Sequence, residues 1–106
     1  MTSSKTTSHV LSTLRALEPE LRAVGVRHIS VFGSVARGED TAASDVDLAL
    51  DLAPDTTPPG FQFVIHIERL KRRLATALSR DVDLVVLPAR RPELREALSR
   101  EAIAAF

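Results

Sequence analysis

The sequence predicts an α+β domain, a small mixed β-sheet with helices packed against it in the order α-β-α-β-α-β-α. Three observations carry that expectation. Apolar residues recur at helical spacing in two long stretches, Val10 to Val24 and Val64 to Leu78. A short apolar run, His28 to Phe32, stops at the turn residue Gly33. From Asp45 to Leu52 the chain alternates, with Val46, Leu48, Leu50 and Leu52 on one strand face and Asp45, Asp47, Ala49 and Asp51 on the other.

The elements follow in chain order. Val10, Leu14, Leu17, Leu21 and Val24 place a helix over about 8–24. Pro19 interrupts it, so a kink or two short helices meeting at Glu18 is expected, with Gly25 as the C-terminal cap. A buried strand, 28–32, ends at Gly33. Residues 34–37 form one helical turn, 39–44 a polar loop and 45–52 the alternating strand. Pro54 to Gly60 contains three prolines and no other apolar side chain, which marks an exposed connector. A second long helix covers 61–79 and a third strand 82–87, which Pro88 ends. Pro92 suits the first turn of a last helix over 92–105, carrying Leu94, Leu98 and Ile103.

The 106 residues read as one domain over 1–106, with 44% hydrophobic and 26% charged side chains. No run of 18 apolar residues exists and the N-terminus lacks a signal-peptide core, so a cytoplasmic location is expected. The absence of cysteine excludes disulfides and thiolate metal sites. Net charge is zero but uneven. Residues 1–60 hold 5 basic and 8 acidic side chains, residues 61–106 hold 9 and 6. The basic half is read first as a solvated helix face and second as a surface for triphosphate, RNA or an acidic partner. The only aromatics are four Phe, so stacking platforms for single-stranded nucleic acid are poorly supplied, and no direct DNA binding is expected.

The chemistry concentrates in Val31-Phe32-Gly33-Ser34-Val35-Ala36-Arg37-Gly38 and in Ser44-Asp45-Val46-Asp47-Leu48. Two carboxylates two residues apart on one strand lie roughly 6.5–7 Å apart at the Cα atoms. Their repulsion is relieved by a cation, and the N–H groups of a Gly-containing turn suit a phosphate. An acidic pair beside a phosphate turn needs divalent metal between them, which is the arrangement of metal-assisted phosphoryl or nucleotidyl transfer. Asp83, inside the apolar run Val82 to Val86, is the third acid, with Asp81 as its rival at the strand mouth. Gly33 to Gly38 also matches half of a P-loop, but Glu39-Asp40 stand where Lys and Ser or Thr are required, so that reading fails. Arg37 is assigned to phosphate or to an ion pair with Glu39, Asp51 to the rim of the site, and His9, His28 and His66 to the surface.

With Gly33-Ser34, Asp45-x-Asp47 and a later strand Asp, the chain resembles the polymerase-β-like nucleotidyltransferase superfamily. The resemblance is closest to its minimal branch, the MNT-domain proteins paired with HEPN-domain toxins. It implies Gly33 and Ser34 as nucleotide-binding residues, beside which Arg37 is the further candidate. It also implies Asp45, Asp47 and Asp83 as catalytic metal ligands for Mg²⁺ or Mn²⁺, with ATP as substrate. The implied function is an antitoxin that adenylylates a HEPN ribonuclease. A non-catalytic module that blocks the toxin by docking alone is the alternative, and an aminoglycoside-type nucleotidyltransferase is disfavoured by the missing acceptor domain. An interface patch at Ile103 and Phe106, rimmed by arginines, is weighed equally against their packing on the sheet.

Overall fold

A computed structural model describes residues 5–56 and 58–106. Helix α1, Lys5–Ala16, buries Thr7, Val10, Leu11 and Leu14 along one face. The Thr7 hydroxyl donates to the Val35 carbonyl and so ties α1 to the turn after the first strand. Helix α2, Glu18–Ala23, begins where Pro19 predicts a break. Near a helix start, proline's missing N–H costs no hydrogen bond. Gly25, at φ 99°, donates its N–H to the Arg22 carbonyl and closes α2.

Strand β1, Val26–Phe32, starts two residues earlier than the sequence predicts. A register shift between Val26 and His28 keeps Val26 in the core while Arg27 and His28 both face out, which masks the expected alternation. The one-turn helix α3, Gly33–Arg37, follows at once and is capped by Gly38 in the left-handed region. Strand β2, Val46–Leu52, runs antiparallel to β1. Helix α4, Phe61–Leu78, then crosses over to strand β3, Val82–Val86, which pairs with β2 in parallel. Parallel neighbours need such a crossover, and α4 buries Leu70, Leu74 and Leu78 in supplying it. Its first two turns leave Phe61, Val64 and Ile65 exposed, so Val64 does not share the buried line that its spacing predicts.

The C-terminal segment corrects the predicted order. Helix α5, Pro92–Glu101, stops at Glu101 instead of running to 105, and Ala102 is extended. Ile103–Ala104 form a short strand, β4, antiparallel to β1. The Ala105 N–H donates to Ile29 at 2.9 Å, and the Ile29 N–H donates to the Phe106 carbonyl. The unpaired edge of β1 offers backbone donors and acceptors that a final helical turn would leave unused. The sheet order is β3-β2-β1-β4. Leu14, Leu21, Ile29, Leu48, Leu50 and Leu74 are all fully buried around it. Ile103 and Phe106 pack against this core, and the Arg22 guanidinium sits 5.1 Å over the Phe106 ring. They do not form an external patch. Among the described residues no helix is long and apolar enough to cross a membrane.

Candidate active site

The sheet order sets the acids side by side. In the parallel register of β2 and β3, Asp47 pairs directly with Asp83. Asp45 precedes β2 by one residue and shares the strand parity of Asp47. The buried opposite face, Val46, Leu48 and Leu50, leaves the two aspartates no choice of side. Asp45 and Asp83 are exposed, while Asp47 is partly buried. A one-residue slip of β3 would remove the Asp47–Asp83 pairing and turn Asp83 to the other face.

Gly33 closes the second side. Its φ is +72°, and a Cβ there would lie 2.1 Å from Asp47 Oδ2. Only glycine fits, because a side chain would be both strained and driven into the carboxylate. The phosphate-type turn and the acidic strand are therefore in contact, joined by the absence of one methyl group. The Gly33 N–H donates to Glu101 Oε1 at 3.0 Å. Arg37 donates from Nη1 to both oxygens of Glu101, at 3.1 and 3.0 Å, and from Nε to Glu39 at 2.8 Å. Of the partners foreseen for Arg37, Glu39 is met, and the main hold is a residue the sequence did not flag, Glu101.

Arg80 fixes the approach to Asp45. Its guanidinium pairs with Asp40 at 3.2 Å and donates to the carbonyls of Thr41 and Ser44 at 2.7 and 2.8 Å. The Thr41 N–H in turn donates to Ser44 Oγ, closing the loop on itself. The Val46 N–H donates to the Asp81 carbonyl at 2.9 Å, so the loop enters the sheet in register with β3.

The electrostatics centre on Asp47. Burial raises its carboxyl above the ordinary range, the charges of Asp83 and Asp45 push it further, and Arg37 opposes them. For Glu101, burial also acts upward, but the Arg37 guanidinium and the Gly33 N–H outweigh it and hold the group below its ordinary value. The hydrogen bonds that Arg37 donates to Glu39 and Glu101 hold it more firmly protonated than usual. Among the described residues no three carboxylate or imidazole groups converge into a self-contained metal cage. The donor set is nonetheless all oxygen and its central carboxylate is strained by like charge. That suits a hard divalent cation completing its shell with water or ligand oxygens, as Mg²⁺ does. Beside Asp45 a cleft of about 380 Å³ opens, walled by Lys71 and Arg72 of α4 and by Asp81 of the strand mouth.

The structure therefore brings together Gly33, Ser34, Arg37, Asp45, Asp47 and Asp83. Asp81 stays exposed at the mouth, and Asp51 pairs with Arg27 at 2.9 Å, away from the cluster. Sequence reasoning missed Glu101 and Arg80. Glu101 carried one signal: an acid on the last residue of a helix opposes the helix dipole, so another contact has to hold it there. Arg80 carried none, since it reads as one more member of the basic half.

Comparison with known proteins agrees with this geometry. Residues 17–104 match the family described as polymerase beta, nucleotidyltransferase. The protein adenylyltransferase MntA of Thermococcus cleftensis is 34% identical over 99 residues, covering 92% of this chain and 94% of that protein. Among solved structures, a candidate minimal nucleotidyltransferase is 37% identical with a TM-score of 0.67, covering 88% of this chain and 93% of that one. A toxin–antitoxin complex with AMP-PNP superimposes with a TM-score of 0.68 at 27% identity, covering 89% of this chain and 72% of that one. A tri-AMPylated Shewanella oneidensis HEPN toxin in complex with its MNT antitoxin shares the fold, at 24% identity and a TM-score of 0.62, over 92% of this chain and 71% of that one.

Proposed function

This chain belongs to the polymerase-β nucleotidyltransferase family, and from that premise we propose that it is a protein adenylyltransferase acting as the antitoxin of a HEPN-domain toxin. The reaction is transfer of AMP from ATP to a hydroxyl of the partner. The acceptor oxygen forms a bond to the α-phosphorus, the bond from that phosphorus to the bridging oxygen breaks, and pyrophosphate leaves. The observation that carries the reading is the contact between Gly33 and Asp47 Oδ2, which joins a phosphate turn to an acid cluster.

In this reading Ser34 and Arg37 bind triphosphate oxygens through hydroxyl, N–H and guanidinium donors, and Gly33 lets the turn approach without a side chain. Asp45 and Asp47 hold the divalent ion, Mg²⁺ or Mn²⁺. Asp83 completes the set and takes the proton of the attacking hydroxyl. The bound ion supplies charge neutralisation at the attacking and leaving oxygens. Recognition of base and acceptor falls to the partner, because Asp83 lies exposed on an edge strand of the sheet. A cytoplasmic location, where ATP and a ribonuclease partner meet, suits this function.

The test is mass spectrometry of a co-expressed HEPN partner. With this chain intact the partner should gain one or more AMP masses, and with Asp47→Asn none, since the amide keeps the volume and loses the charge. An unmodified partner in the presence of ATP and Mg²⁺ would remove the enzymatic reading. Full neutralisation by Asp47→Asn would replace it with docking alone.

A further inference from the structure

The chain closes its nucleotide turn with a residue from the far end of the sequence. Glu101, the last residue of α5, is 68 positions from Gly33 and 64 from Arg37, yet one carboxylate takes both. The Glu101 side chain is only 18% exposed, and burial disfavours its charge. A carboxylate is held in such a place only when its charge has a structural use.

Donors claimed and donors left over divide cleanly. Glu101 takes the Gly33 N–H and both of its oxygens meet Arg37 Nη1, while Glu39 takes Arg37 Nε. Among the described residues, Arg37 Nη2, the Ser34 hydroxyl and the Ser34 N–H take no hydrogen-bond partner. Three donors at one turn remain open, and they are the kinds that bind a triphosphate. The same carboxylate thus fixes both the left-handed Gly33 backbone and the Arg37 guanidinium.

Resting on the nucleotidyltransferase reading, we infer that Glu101 is a positioning residue for the triphosphate. It holds Gly33 and Arg37 in the binding arrangement before nucleotide arrives and touches no reacting atom itself. Pre-ordering of this kind is felt in binding, because an Arg37 side chain released to many rotamers must be immobilised by the ligand. It is felt selectively. A ligand with β- and γ-phosphates uses the ordered turn, whereas AMP does not.

Calorimetry of the full chain with AMP-PNP and Mn²⁺, and separately with AMP and Mn²⁺, tests this in the wild type, Glu101→Ala, Glu101→Gln and Glu101→Asp. Glu101→Ala should weaken AMP-PNP binding roughly tenfold, the scale of one charge-assisted hydrogen bond, and change AMP binding by less than about twofold. Glu101→Gln keeps an acceptor for the Gly33 N–H without the charge on Arg37, so it should fall between Ala and wild type, and Glu101→Asp should recover part of the loss. Tighter AMP-PNP binding in Glu101→Ala would overturn the inference and make Glu101 a competitor for the phosphate seat. Equal losses for AMP and AMP-PNP would overturn it in favour of a merely structural role. Failure of the wild type to bind AMP-PNP would instead count against the nucleotidyltransferase reading itself.

Discussion

The two sides of the acid cluster are built differently. On the Gly33 side everything is tied: a glycine at φ +72° against Asp47, its N–H on Glu101, and Arg37 held by two carboxylates. On the Asp83 side little is tied. Asp83 lies on an edge strand, exposed, and among the described residues its side chain makes no hydrogen bond or ion pair. A site that orders the donor of a reaction internally and leaves the acceptor side open fits a transferase whose acceptor is another protein. Its entropy of ordering is settled in the fold on one side and met on docking on the other.

Gly33→Ala attacks the tied side and should have the largest effect. The new Cβ must push Asp47 away, and the left-handed backbone adds roughly 1–2 kcal/mol of strain. AMP transfer to the partner should fall at least ~100-fold, the scale on which small displacements of reacting groups act. Transfer at the wild-type rate would mean that the turn is not held as described.

Asp83→Asn probes the open side and should separate chemistry from binding. Turnover should drop by about 10²–10⁴, as for loss of a general base, while AMP-PNP binding stays within about threefold. If binding fell as far as turnover, the two sides would not be independent. Arg80→Ala tests the loop before Asp45. It strips the pairing from Asp40, whose side chain is only 8% exposed, and from two carbonyls, so stability in urea should fall by about 2–3 kcal/mol. A shift below about 0.5 kcal/mol would show that the loop holds itself.

The smallest expected effect is on pH dependence. The Asp47 carboxyl is raised in the folded protein by burial and by Asp83 and Asp45. A raised carboxyl binds its proton more tightly folded than unfolded. The metal-free fold therefore gains stability below the unfolded value and loses it as pH rises through the folded value. A cation must displace that proton, so Mn²⁺–AMP-PNP affinity should weaken as pH is lowered from neutrality into the carboxylate range. Calorimetry across that range should show a flatter profile for Asp47→Asn.

Much of this was legible in the sequence because it rests on local rules. Parity along β2 put Asp45 and Asp47 on one face, and Pro19 announced the break between α1 and α2. Pairing of Asp47 with Asp83 was anticipated in kind, since an acid in an apolar strand needs a reason. The rest depends on non-local geometry. The sequence places Ile103 on the last helix with Leu94 and Leu98, and only the vacant edge of β1 turns it into a strand residue. Glu101 and Arg80 act on residues 68 and 36 positions away, a distance across which single-sequence spacing carries no signal.

The pairing of β4 with β1 also sets an order in time. A ribosome delivers β1, the glycine turn and β2 long before it delivers residues 101–104. Until those emerge, one edge of β1 is bare and Gly33 and Arg37 lack the carboxylate that holds them. The nascent chain thus carries its acids early, and its glycine turn is finished only once Glu101 and β4 have emerged.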